Sequence, residues 1–202
     1  MADAHPNARL EAFCDGVFAI ALTLLILDIK IPTSERIEST PEFWLALKHL
    51  GPSIFAFVLS FAVIFITWVN HYRLFRQVKA SSGPFVYANG LLLLTVVFMP
   101  FPTALVGEYL LTDHVAPAVV LYNSVTAVQA VGWILVCGAA LRDGLAKDEK
   151  AAMLVRDGRR NGYFALVVYG LLALVAVWFP LTVAILTTIL WTYWLVFSLR
   201  AD

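Results

Sequence analysis

Residues 9–31, RLEAFCDGVFAIALTLLILDIKI, limit what this chain can build more than any other stretch. They read as a membrane-crossing helix, yet Asp15 and Asp28 leave only twelve uncharged residues between them, Gly16 to Leu27. At about 1.5 Å per residue that is roughly 18 Å, short of a hydrocarbon core of about 30 Å. At least one carboxylate must therefore sit at the membrane edge, inside a bundle or beside water. An intramembrane charge is costly unless partnered, which makes it a candidate functional group.

A helical wheel at about 100° per residue separates the segment into faces. Arg9, Phe13, Gly16, Ile20, Leu24 and Leu27 fall in one narrow stripe, Thr23 lies on its shoulder, and Asp15 points well away. An ordinary packing stripe against a neighbouring helix produces the same pattern, so periodicity alone does not separate packing from pore lining.

The rest of the chain shares this membrane character. Of its 202 residues 61% are hydrophobic and 14% charged, against about 25% charged in a typical soluble domain. The pattern predicts an all-α, polytopic protein in a single membrane domain over residues 1–202. Six transmembrane helices are expected at about 8–31, 44–76, 85–111, 115–141, 162–179 and 181–200. Pro100 and Pro102 should kink the third, since each removes a backbone donor. Pro32 ends the first, and Phe179-Pro180 makes a tight turn before the last. The charged stretch 142–161 is too polar to span. Its basic run from Arg156 to Arg160 reads as a solvated loop that sets orientation, with anionic lipid as a lesser contact. Trp191, Tyr193 and Trp194 read as an aromatic belt.

Six spans place both termini on one side. Eleven of the fourteen Lys and Arg residues fall on that side, which assigns it to the cytoplasm. The first segment lacks a basic leader and a small-residue cleavage site, so no cleavable signal is expected. Zero net charge argues against a nucleic-acid partner. Cys14 and Cys137 are expected as free thiols. No P-loop, paired-cysteine metal pattern or TVGYG-like filter is present, which excludes a carbonyl-lined potassium filter.

The series Arg9, Phe13, Cys14, Asp15, Gly16, Val17, Phe18, Ala19, Ile20, Ala21, Thr23, Leu24 and Leu25 resembles the RxxxFSDGVFAIAxTLL signature of the transmembrane protein 175 family. These are potassium channels of lysosomes and bacteria. Cys14 stands where the family has serine, and a thiol is a weak donor. Length and segment count are similar to those of the single-repeat bacterial members. Trp68, Asn70 and His71, closing the second helix, resemble the family's second-helix pattern. The resemblance implies a polar network of Arg9, Phe13, Asp15, Trp68, Asn70 and His71. A His71–Asp15 hydrogen bond would offset burial of the carboxylate. Arg9 and Asp15 lie on different faces, so their partners are expected on other helices or other subunits.

The same resemblance implies a potassium-permeable channel in the cell (plasma) membrane, a homotetramer among membrane lipids with four copies of the first helix around its axis. Ile20, Leu24 and Leu27 would then form the pore constriction, with Ile20 the narrowest ring and Thr23 adding a hydroxyl near it for selectivity. K+ is the permeant ion; no resident metal, cofactor or catalysis is expected. The alternative is a proton-coupled secondary transporter or proton-conducting channel using Asp15 and His71. A membrane enzyme would need converging polar groups at one depth, and only that pair offers itself. The charge asymmetry makes a direct prediction: reporter fusions at Asp202 and within residues 144–150 both read cytoplasmic, and an external signal from either breaks the six-span topology.

Overall fold

The computed structural model describes residues 7–33 and 37–200, with side chains to Val196. Its elements are α1 (Ala8–Leu24) continued by a 3₁₀ turn (Leu25–Asp28), α2 (Thr40–His49), α3 (Gly51–Phe75), α4 (Gly83–Phe98), α5 (Pro100–Tyr109), α6 (Val115–Arg142), α7 (Glu149–Val175) and α8 (Pro180–Arg200). The chain is all-helical apart from its connections. Among the described residues, four helical stretches are long and apolar enough to cross a membrane: 8–28, 51–75, 83–109 and 115–142; residues 180–196 form a shorter apolar helix.

Several boundaries differ from the sequence expectation. The first helix does not run to residue 31. It tightens to a 3₁₀ turn after Leu24 and becomes extended at Ile29, three residues before Pro32. With about 1.5 Å of rise per α residue and about 2.0 Å in the 3₁₀ turn, residues 8–28 still cover roughly 33 Å. The expected helix 44–76 is two helices. Ser39 and Glu42 form a capping box that starts α2 early, and Pro52 sits in the first turn of α3, where its missing N–H costs nothing. The kink at Pro100 and Pro102 is present as a break between α4 and α5. There Met99 N–H bonds Val96 O at 3.2 Å, a three-residue step in place of four.

The stretch 142–161, read from sequence as too polar to span though helical in part, is helical from residue 149 on, and the basic run Arg156 to Arg160, read as a solvated loop, lies within that helix. Residues 149–161 are the first half of α7. Asp148 caps it, accepting from Ala151 N–H at 2.7 Å. Arg156 pairs with Glu149 at 3.0 Å and Arg160 with Asp157 at 3.2 Å on its outer side. Its inner side carries Ala151, Val155 and Gly162, buried. Its buried side is made of small side chains, so its charges outweigh its apolar signal in the sequence.

α6 lies at the centre, packed on α4, α5, α7 and α8, while α1 packs on α3 and α4. The loops after α3 and after α6 meet at one end, where Val78 and Ala146 form an antiparallel bridge. Lys79 N–H bonds Leu145 O at 2.8 Å and Lys147 N–H bonds Gln77 O at 2.9 Å. At the same end Ser82 donates to Asp143. The Arg142 guanidinium, and then the Ser82 hydroxyl, hold the Asp143 carboxyl below its ordinary range. Cys14 and Cys137 are free and buried.

Where helices touch most closely, glycine makes room. A Cβ on Gly107 of α5 would stand 2.9 Å from Ser53 Cα of α3. Gly107→Ala is expected to cost about 1–3 kcal/mol through overpacking. At Gly170, where nothing lies within 4 Å, alanine should be neutral or stabilise by up to about 1 kcal/mol. Thermal unfolding of both variants in detergent checks the contrast; equal shifts would contradict this packing.

Candidate functional site

α1 divides cleanly into two faces. Cys14, Phe18, Ala21 and Leu25, spaced four, three and four residues apart, are buried. They are the seam by which α1 packs on α3 and α4. The opposite face is bare: Phe13, Ile20 and Leu27 are 63%, 59% and 72% exposed and Leu24 is 39% exposed, with nothing within 4 Å of a Cβ placed on Gly16. Ile20, Leu24 and Leu27 thus share one uncovered apolar face within the single chain. Leu22 is half-buried against the core.

Thr23 spends its proton on its own helix, donating to Ile20 O at 2.9 Å. This is the usual back-bond of a membrane threonine. It leaves the hydroxyl oxygen with lone pairs on an exposed flank.

The expected polar network is present in part and is rearranged. Asp15 is exposed and accepts from the Trp68 indole Nε1–H at 2.8 Å, tying α1 to α3. His71 does not bond Asp15. It is buried in α3, and its Nε2 meets Asn89 Oδ1 of α4 at 2.9 Å. Asn89 Nδ2 donates to Phe85 O at 2.8 Å, so Oδ1 is its accepting end and His71 presents an Nε2–H. Aromatic rings flank the imidazole, with Phe18 at 5.3 Å and Phe75 at 4.6 Å between centroids. Trp68 and His71 are three residues apart and their side chains serve different neighbours, α1 and α4. That angular offset is why one acid does not reach both.

Asn70 belongs to neither pair. It lines a cavity of about 180 Å³ with Arg73, Gln129 and Asn161, on the side of α3 that faces α6 and α7. Arg9 and Phe13 are exposed; no ion pair joins Arg9 to an acid among the described residues. Trp191 is not part of an outward belt: it is buried and stacks on Tyr169 at 5.6 Å.

Sequence reasoning missed Asn89, the residue that actually holds His71. Its signal was there, a lone amide ahead of the run Leu91-Leu92-Leu93-Leu94. Other buried polar pairs follow the same logic: Gln129 with Thr67 at 2.7 Å, Ser60 with Tyr122 at 3.1 Å, and Thr187 with Asn123 at 2.9 Å.

The family model described as "Endosomal/lysosomal potassium channel TMEM175" matches residues 9–100, the stretch that carries α1 and its supports. The chain superimposes over most of its length on the crystal structure of a lysosomal potassium-selective channel TMEM175 homolog from Chamaesiphon minutus. The two are 36% identical, with 95% of this chain and 97% of the other covered and a TM-score of 0.79. The chain belongs to the TMEM175 family. Among curated relatives, a protein named potassium channel from Chamaesiphon minutus is 48% identical over 119 residues, 59% of this chain and 58% of that one. Another, from Streptomyces collinus, is 44% identical over 137 residues, 65% of each. The chain thus matches about three fifths of the length of these relatives. As a member of the TMEM175 family, with its apolar helices, it is a membrane protein of an ion-channel family.

The arrangement predicts a pattern of energetic coupling. Asp15→Ala and Trp68→Phe should be non-additive by about 1 kcal/mol in stability, as contacting partners are, whereas Asp15→Ala and Asn89→Ala should add within about 0.5 kcal/mol. Thermal unfolding of the two double-mutant cycles checks this; the reverse pattern would restore the Asp15–His71 pairing.

Proposed function

We propose that this TMEM175 family member is a potassium-permeable channel, and that four copies of α1 surround its pore. The bare face of α1 carries this reading. A helix buried along Cys14, Phe18, Ala21 and Leu25 leaves Ile20 and Leu27 largely, and Leu24 partly, uncovered by the described residues, and a single stripe cannot enclose a path. A homotetramer turns four stripes into one wall. Relatives named potassium channels support the choice of ion.

In this reading six segments cross the cell membrane: α1, α3, α4 with α5, α6, the later part of α7, and α8. Both termini lie in the cytoplasm. Passive K+ flux runs along the axis past rings of Ile20, Leu24 and Leu27. Apolar rings do not replace an ion's hydration shell as carbonyls do; they gate by dewetting and restrict how much water an ion keeps. Potassium gives up water more readily than sodium, so a narrow Ile20 ring favours potassium modestly. The Thr23 oxygen, its proton already committed to Ile20 O, is free to accept from hydrating water or to face the cation.

The alternative, proton movement through Asp15 and His71, is best served by a direct hydrogen bond between those groups. Trp68 and Asn89 hold them in separate hydrogen bonds, so the channel reading is preferred.

Ile20→Ala should raise cation flux and reduce discrimination of potassium over sodium, and Ile20→Asn should raise flux by easing wetting. Leu22→Ala is the control, since Leu22 lies about 160° from Ile20 around the helix. Potassium and sodium flux into liposomes checks each variant. Equal effects at the two positions, or none at Ile20, would make the stripe a packing surface.

A further inference from the structure

The start of α4 and the facing ends of α6 and α7 leave a groove of about 660 Å³ on the outside of the bundle. Arg142, Arg159, Tyr163 and Tyr87 line it toward the end where the loops after α3 and α6 meet, and Leu91 and Leu135 line it deeper along the helices. One end is thus cationic and hydroxyl-bearing, the other apolar.

The two arginines differ. Arg142 is answered by Asp143 at 2.8 Å. Arg159 has no carboxylate partner among the described residues, although its neighbours on α7 do: Arg156 has Glu149 and Arg160 has Asp157. Arg159 Nη2 donates to Tyr163 Oη at 3.2 Å, and the guanidinium lies over the Tyr163 ring at 5.7 Å. Its Nε is buried with no partner. The guanidinium rests 3.8 Å from the place a Cβ would take on Gly138, about one helical turn inside the end of α6 at Arg142. A guanidinium has five N–H donors, and here one hydrogen bond is made. A half-buried cation is costly without a counter-charge.

We infer that this groove is a binding site for an anionic phospholipid, its phosphate on the Arg159 guanidinium and an acyl chain along Leu91 and Leu135. A phosphate diester supplies the missing negative charge with charge-assisted hydrogen bonds. The apolar floor running toward the bilayer centre fits a lipid tail and has nothing to offer a soluble anion. The end concerned is the one with most of the basic residues, and anionic lipids are enriched in the cytoplasmic leaflet that such residues select. A zwitterionic lipid carries its own cation and gains less from Arg159.

The inference does not rest on ion permeation, and its test reads lipid alone. Full-length protein in detergent is titrated with phosphatidylglycerol and, separately, phosphatidylcholine, and retained lipid is counted by native mass spectrometry. The wild type should retain phosphatidylglycerol in preference to phosphatidylcholine. Arg159→Gln should lower phosphatidylglycerol retention about tenfold, the scale of one charge-assisted contact. Arg159→Lys should keep part of it, and Arg156→Gln should match the wild type. Leu135→Trp, which fills the apolar end and touches no charge, should also reduce retention. Equal retention of the two lipids by the wild type, or equal loss in Arg156→Gln and Arg159→Gln, would overturn the assignment.

Discussion

The contact of α1 with α3 and α4 decides how every other part of this protein is used. Phe18 of α1 meets the His71 ring, His71 meets Phe75, and Phe75 meets Phe85 of α4, with centroids 5.3, 4.6 and 5.5 Å apart. Cys14, Ala21 and Leu25 extend that seam along the helix. Once those residues face inward, the 3.6-residue period turns Gly16, Ile20, Leu24 and Leu27 outward. Helix rotation is therefore set by a cluster of aromatic rings, and the uncovered stripe follows from it. The Trp68–Asp15 bond, at 2.8 Å, pins the same rotation from the flank.

The membrane imposes a second constraint, on polar groups. Hydrogen-bonding groups inside a bilayer must be satisfied within the protein. Here many serines, threonines and amides of α3 to α8 pair across helices or bond back one turn: Thr67 to Val63 O, Asn123 to Val119 O, Thr103 to Met99 O. A buried imidazole with an amide partner and two aromatic neighbours belongs to the same economy. His71 Nε2 is committed to Asn89, and Asp15 is held by Trp68.

What the sequence made legible follows from how each signal is written. The α1 stripe was readable because strict helical spacing needs only one segment. The break near Pro100 was readable because a missing N–H acts locally. The α2–α3 junction was written only in Gly51-Pro52, whose proline a helix tolerates in its first turn, and the early start of α2 only in the Ser39 and Glu42 capping box. The extent of the helical start of α7 was masked by its six charges, four of which pair internally, Arg156 with Glu149 and Arg160 with Asp157. The exchange of partners between Asp15, Trp68, His71 and Asn89 was beyond reach. It depends on how α1, α3 and α4 are rotated against one another, which spacing along one chain does not encode.

In the proposed channel the bare face of α1 meets copies of itself. The most direct measurement is the mass of the purified complex in mild detergent, by light scattering with the detergent contribution subtracted. Four copies of the 22.3 kDa chain are predicted. A single chain that retains ion flux when reconstituted would contradict the account, because one stripe of Ile20, Leu24 and Leu27 has no second wall against which to form a pore.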